Sequence, residues 1–168
     1  MRDAVCDTSI LQYLHQIGCL HLLPSMTRSV VVPPSVPVEI ENGRLQGVDL
    51  PEIEKLHWVQ VMNPTKPHRF LDAVKLGRGE RDVLKLASES PGTVAFLDDR
   101  TARRIANELS IPAIGTLGLL VEAKQLGLID AVEPYLSDLQ RLGFRCSGQT
   151  RAMVLRAAGE AALDSNTL

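Results

Sequence analysis

The sequence predicts an α/β fold, namely a three-layer α/β/α sandwich whose central parallel sheet has four or five strands. Short apolar segments rich in β-branched residues alternate with segments of helical periodicity along most of the chain. This alternation is typical of a parallel sheet covered by helices on both faces. Two of the apolar segments end in acidic residues. Because such sheets bind ligands at the carboxyl ends of their strands, the sequence also indicates where a site would lie.

The individual elements follow from apolar periodicity and from flanking residues. Thr8 and Ser9 are good helix-capping types, and a helix starting near Ser35 is entered through prolines, which the first turn tolerates. Asn42-Gly43 and Gly77-Arg78-Gly79 are interpreted as helix breaks, because glycine is unfavourable inside a helix. The predicted strands are 4–6, 29–32, 58–62, 93–97, 111–114 and an edge strand at 144–146. The predicted helices are 8–17, 20–26, 35–41, 70–76, 80–90, 100–109, 130–142 and 149–158. A further helix ends at 126, and residues 115–118 before it are interpreted as either a loop or the start of that helix.

A chain of 168 residues is long enough for one domain with a sizeable core. We expect a single domain over residues 1–159, with a core at 4–128 and a C-terminal helical part at 129–159. Residues 160–168 lack apolar periodicity and are predicted to form a loose tail.

Composition excludes several classes of protein. The formal net charge is −2, so no global basic field favours nucleic acid, and such a partner would need a local patch. The three cysteines are scattered, which argues against a disulfide framework or a zinc site and favours a reducing cytoplasm. No apolar run approaches the roughly 20 residues that span a bilayer, so no membrane association is expected.

The acids at strand ends are the main candidates for function. Asp7 follows the first strand, and Asp98 and Asp99 follow the strand at 93–97. Asp7 and Asp99 each have a second interpretation, as the cap of the helix that comes next. A cap needs one acid, so the pair leaves one carboxylate that capping does not explain.

Three further acids lie near helix starts. Glu80 falls within the apolar face of the helix at 80–90, where a carboxylate is costly unless it is paired or bound to metal. Asp82 lies at the edge of that face and is the alternative to Glu80, although it could be a solvated first-turn acid. Glu39 flanks a short apolar stripe after the second strand and could equally be a surface glutamate.

Several carboxylates at one sheet edge repel each other and raise one another's pKa, and a divalent cation removes that repulsion. Ligation by oxygen alone suits Mg²⁺ or Mn²⁺, and such a site suits phosphodiester hydrolysis. We expect Asp7, Glu80 and Asp98 or Asp99 to bind the metal, and Glu39 to assist.

Basic and hydroxyl side chains accompany these acids. Arginines that could hold backbone phosphates, or could simply be solvated, are Arg78, Arg100, Arg103 and Arg104. The hydroxyls of Thr8 and Ser9 could orient a metal-bound water or a neighbouring carboxylate.

Together these segments resemble a PIN domain over residues 5–128. The motifs occur in the order of that family: Asp7-Thr8-Ser9, Pro34-Ser35-Val36-Pro37-Val38-Glu39, Gly79-Glu80-Arg81-Asp82 and Leu97-Asp98-Asp99-Arg100. The sequence is most similar to a PIN-like branch of bacteria and archaea that is related to VapC-type toxin ribonucleases. That branch is also marked by Ile114-Gly115-Thr116-Leu117-Gly118.

The resemblance implies the α/β/α fold and a metal-dependent nuclease site. By position, Asp7 would be the first acid, Glu39 the second, Glu80 or Asp82 the third, and Asp98 or Asp99 the fourth. It also implies an endoribonuclease that acts on RNA as the toxin of a toxin–antitoxin pair, dimerises, and is silenced by a small antitoxin protein. The alternative is a non-catalytic PIN-like module that binds RNA or a protein, motivated by the ambiguous fourth acid and the mildly acidic charge.

Overall fold

A computed structural model describes residues 1–160 of the chain. Five strands and nine α-helices are formed in this described part. The strands are β1 (Arg2–Cys6), β2 (Thr27–Val32), β3 (Val59–Val61), β4 (Val94–Phe96) and β5 (Ala113–Ile114). The helices are α1 (Thr8–Gln16), α2 (Leu22–Met26), α3 (Ser35–Leu45), α4 (Arg69–Ala73), α5 (Arg78–Glu89), α6 (Arg100–Glu108), α7 (Thr116–Gln125), α8 (Glu133–Arg141) and α9 (Gly148–Ala157), with one 3₁₀ turn at Ile53–Lys55.

The five strands form one parallel sheet in the order β3-β2-β1-β4-β5. This is the α/β/α architecture with a central parallel sheet that the alternating pattern predicts. The strand β1 lies at the centre, paired with β2 on one side and with β4 on the other, where Cys6 is opposite Phe96. The strand order reverses at β1, and the crevice beside such a reversal is where open α/β sheets bind ligands.

The core is built on the two central strands and on helix α5. All three residues of β4 are buried, and Phe96 is fully so. Helix α5 buries the face of Val83, Leu84, Leu86 and Ala87, whose spacing is that of an amphipathic helix. This packing fixes the start of α5 relative to β1 and β4.

The chain divides into two compact units, Met1–Thr116 and the part that begins at Leu117. In the second unit, the carboxylate of Glu160 accepts hydrogen bonds from the backbone N–H of Val132 (2.6 Å) and Glu133 (3.0 Å) at the start of α8. Of the tail predicted at 160–168, Glu160 is therefore held, and residues 161–168 lie outside the described part. Within residues 1–160, no helix is long and apolar enough to cross a membrane.

Two helices differ from the sequence prediction at glycines. Helix α3 continues through Gly43 to Leu45, because the side chain of Leu50 packs where a Cβ at position 43 would stand. Helix α5 begins at Arg78 and includes Gly79, which is buried against Glu39. In both cases the missing side chain serves close packing and does not end the helix.

The predicted edge strand at 144–146 is wrong, since these residues form no strand in the structure. The backbone N–H of Phe144 instead donates to the carbonyl of Leu139 (2.9 Å), and Gly143 adopts a φ of +84°. This left-handed turn closes the C-terminus of α8, which is the usual role of a glycine at that position.

The assignment of the core predicts that two Phe→Ala substitutions differ greatly in their effect on the free energy of unfolding. Phe96→Ala removes a fully buried ring from a central strand and is expected to lower the free energy of unfolding by about 3–5 kcal/mol. Phe70→Ala is the matched control, because that ring is 44% exposed, and it should cost clearly less. Urea unfolding measures both, and equal losses would contradict the assignment of the core.

Candidate functional site

The candidate site lies at the carboxyl ends of β1 and β4, beside the reversal in strand order. Asp7 follows β1 directly, and its backbone N–H donates to the carbonyl of Phe96 (3.2 Å). Asp98 follows β4 by two residues. The pairing of the two strands therefore brings these acids to the same edge of the sheet.

Asp7 is a helix cap and also faces the other acids. Its carboxylate accepts from the backbone N–H of Ile10 (3.0 Å) as the N-cap of α1, and from the hydroxyl of Ser9 (3.0 and 2.9 Å). The pKa of Asp7 is raised to about 7, mainly by burial and also by the charges of Asp98 and Glu80, against the lowering effect of these hydrogen bonds. Asp7 thus caps α1 and at the same time lies within electrostatic reach of Asp98 and Glu80.

The structure distinguishes between the two adjacent acids after β4. Asp99 is exposed, and its carboxylate accepts from the backbone N–H of Ala102 (2.8 Å) as the N-cap of α6. Asp98 is directed elsewhere: Oδ1 accepts from the backbone N–H of Thr116 (2.8 Å) and Oδ2 from its hydroxyl (2.7 Å). Burial raises the pKa of Asp98, whereas Thr116 and the charge of Arg103 lower it. The acid of the pair that lies near Asp7 is Asp98.

Glu80 and Asp82 also differ in their surroundings. Glu80 is partly buried at the start of α5, where its carboxylate lies against Gly77, and its charge acts on Asp7. Asp82 instead forms an ion pair with Arg78 on the same helix, at 3.8 Å. The structure therefore brings Glu80 towards the strand ends and leaves Asp82 paired along the helix surface.

Glu39 reaches the site from α3. It is an exposed residue, and its carboxylate accepts a hydrogen bond from the hydroxyl of Thr8. A Cβ at position 79 would lie 3.2 Å from Glu39 Oε1, so the glycine at the start of α5 allows this carboxylate to approach. Thr8 and Ser9 thus each contact a different acid, Glu39 and Asp7.

The four arginines have different surroundings. Arg103 is the one whose charge acts on Asp98, and its Nη1 lies 3.2 Å from where a Cβ of Gly115 would stand. Arg104 pairs with Glu108 (2.8 Å) along α6, and Arg78 pairs with Asp82. Arg100 is exposed at the start of α6. Of the four, Arg103 is the best placed to contact a phosphate near the acids.

Sequence reasoning missed three residues of this site. Thr116 is fully buried and holds Asp98, and Gly115 leaves room for that carboxylate. Both belong to the motif Ile114-Gly115-Thr116-Leu117-Gly118, which is the sequence signal that points to them. Tyr13 in α1 is the third. Burial raises the pKa of its hydroxyl, and so does the charge of Asp98, which places Tyr13 near the site.

Within residues 1–160, no three acidic, histidine or cysteine side chains are grouped so that they could hold a metal ion as they stand. The donor chemistry nevertheless fits a divalent cation. The charges of Asp98 and Glu80 raise the pKa of Asp7, and a cation bound by carboxylate oxygens removes repulsion of this kind. Asp7 and Asp98 are the pair at the strand ends. Glu80 on α5 and Glu39 on α3 are the further carboxylates that could contribute oxygen ligands.

Together, the parallel sheet and these carboxylates define the class of the protein, an α/β/α domain with an acidic site where the strand order reverses. The family model for DUF3368, described as a PIN domain, matches residues 3–160, and the chain belongs to this family of PIN domains. PIN domains are typically nucleases and generally use divalent metal ions. No curated protein matches the chain.

The buried Asp7 predicts that the metal-free protein loses stability as the pH rises. Folding raises this pKa from 3.8 to about 7, so between these values the native state keeps a proton that the unfolded chain has lost. The free energy of unfolding should therefore fall by about 2–3 kcal/mol between pH 5 and pH 8.

Urea unfolding in EDTA measures this effect. Asp7→Asn keeps a side chain that can cap α1 and should flatten the pH profile. Asp99→Asn, which changes the exposed cap of α6, is the control and should keep the profile of the wild type. Parallel profiles for the wild type and Asp7→Asn would contradict the assignment.

Proposed function

We propose that this PIN domain is a Mg²⁺- or Mn²⁺-dependent endoribonuclease. The observation that carries the proposal is the apposition of Asp7 and Asp98 at the ends of neighbouring strands, with Asp7 nearly completely buried. Like charges in a buried crevice are costly. A site that keeps both acids in this position is therefore best explained by the binding of a cation.

The residues around these two acids support defined roles. Asp7, Asp98 and Glu80 would hold the ion, and Glu39 would assist from α3. When bound, a divalent cation supplies an activated water and stabilises charge on the phosphodiester oxygens. Ser9 fixes the carboxylate of Asp7 by donating its hydroxyl hydrogen bond.

Arg103 is the proposed phosphate ligand. It is exposed on α6, and its guanidinium reaches back towards Gly115 and Asp98. A guanidinium in this position offers a bidentate donor to the phosphate whose ester bond is cleaved. Arg78 and Arg100 would extend the contact to neighbouring phosphates of the RNA, as exposed cations close to the helix starts that face the site.

The choice between the adjacent acids gives a sharp test of this function. Asp98→Asn is expected to lower RNA cleavage by at least the roughly 10–100-fold that is typical when a metal site is disturbed. Asp99→Asn should leave cleavage within a few-fold of wild type, because asparagine caps a helix about as well as aspartate.

The assay is cleavage of a mixed RNA substrate by the purified protein with Mg²⁺ or Mn²⁺, and with EDTA as the metal-free control. Equal activity of Asp98→Asn and wild type would contradict the assigned site. RNA binding that resists both EDTA and Asp7→Asn, without any cleavage, would favour the non-catalytic binding module.

The proposed cellular role is that of a toxin whose partners are a small antitoxin protein and a second copy of the chain. This role rests on the resemblance to VapC-type ribonucleases. Expression of the wild-type chain alone should then arrest bacterial growth through RNA cleavage. The Asp98→Asn protein, produced to the same level, should not. Growth arrest by both proteins would contradict a toxin that acts through this site.

A further inference from the structure

Asp98 is held by a residue to which the proposed chemistry assigns no role so far. Thr116, at the start of α7, donates its backbone N–H to one oxygen of the Asp98 carboxylate and its hydroxyl to the other, at 2.8 and 2.7 Å. Thr116 is fully buried, so water does not compete for these bonds. The two bonds together fix both the position and the rotation of the carboxylate.

A helix cap alone does not explain this arrangement. The start of α7 needs an acceptor for a backbone N–H, and one oxygen of Asp98 is sufficient for that purpose. The hydroxyl of Thr116 is not one of the unpaired donors of a helix terminus. Its bond to the second oxygen therefore adds nothing to the cap but prevents the carboxylate from turning.

Gly115 provides the space that this geometry requires. A Cβ at position 115 would lie 2.8 Å from Asp98 Oδ1, 3.2 Å from Arg103 Nη1 and 3.3 Å from the carbonyl of Leu97. The first of these distances is too short for a side chain to be accommodated without displacing the carboxylate. A Cβ at position 115 would thus require the Asp98 carboxylate or the backbone beside it to shift.

Two other acids of the site also accept a hydrogen bond from a hydroxyl group. The hydroxyl of Ser9 donates to Asp7 and that of Thr8 donates to Glu39. A carboxylate has about four acceptor positions. Two of those on Asp98 are used by Thr116, which leaves one on each oxygen for a further ligand. The two hydrogen bonds therefore orient the Asp98 carboxylate and leave each of its oxygens able to accept another bond.

We propose that Thr116 is a positioning residue that orients Asp98 for metal binding, and that Gly115 is required to admit it. This inference rests on the proposed metal-dependent function. Groups that hydrogen-bond a metal ligand from behind fix its orientation, and their loss typically weakens metal binding or activity by about 10–100-fold. Thr116 acts through Asp98 and has no direct contact with the substrate in this proposal.

The test compares Thr116→Val, Thr116→Ser and Gly115→Ala with the wild type. Thr116→Val keeps the shape of the side chain and removes the hydroxyl, whereas Thr116→Ser retains it. Calorimetric titration with Mn²⁺ should show affinity reduced by about 10–100-fold in Thr116→Val and Gly115→Ala, and restored to within a few-fold in Thr116→Ser. The Mn²⁺ concentration for half-maximal RNA cleavage should rise in parallel.

Thr27→Val is the matched control for the loss of a buried threonine hydroxyl. Thr27 begins β2 and so lies at the amino ends of the strands, whereas the acids lie at their carboxyl ends. Its hydroxyl donates to the carbonyl of Leu23 (2.7 Å). This variant should lose thermal stability as Thr116→Val does, but keep the wild-type affinity for Mn²⁺. Wild-type affinity in Thr116→Val would overturn the proposal and leave Thr116 with a structural role.

A double-mutant cycle separates this inference from the proposed function. The losses of thermal stability in Thr116→Val and Asp98→Asn should be strongly non-additive in metal-free protein, because the two side chains share one contact. Additive losses would overturn the inference even if the wild type binds Mn²⁺. A wild type that binds no Mn²⁺ while the losses are non-additive would show that the proposed function has failed, and Thr116 would then only pair with Asp98 to cap α7.

Discussion

The pairing of β1 with β4 is the constraint on which the site depends. Because the strands are parallel and in register at Cys6 and Phe96, the residues that follow them emerge side by side at one edge of the sheet. Asp7 is drawn into this edge by the bond from its own N–H to the carbonyl of Phe96. Two carboxylates are thereby placed in a crevice from which water is largely excluded, and each disfavours the charge of the other.

Much of the surrounding structure offsets this cost. The first turns of α1 and α7 point backbone N–H groups at Asp7 and Asp98, and helix N-termini stabilise negative charge. Hydroxyl groups supply further donors to the same carboxylates. Burial nevertheless outweighs these hydrogen bonds, and the pKa of Asp7 is raised to about 7. A positive charge beside these carboxylates, whether that of a cation or of the guanidinium of Arg103, therefore stabilises their charged form.

The fold follows from local pattern with few exceptions, and the two misplaced helix boundaries share one physical cause. The strand and helix assignments depend on apolar periodicity, which is a local property and is strong in β1, β4 and α5. Glycine, however, has two uses that the sequence does not distinguish, namely a break in a helix and a place for close packing. At Gly43 and Gly79 the second use applies, because Leu50 and Glu39 lie against the backbone there. Both contacts are with residues outside the helix concerned.

The sequence by itself determined the class of fold, the edge of the sheet that carries the acids, and the candidate acids. Only the tertiary structure shows that Asp99 caps α6 whereas Asp98 turns to Thr116, since the sequence alone does not say which acid of the pair is the cap. The deciding partner of Asp98 is Thr116, 18 residues further along the chain and beyond another strand. Hydrogen bonds of this kind depend on how the elements pack in space. The sequence names the residues of such a contact but does not reveal that they meet.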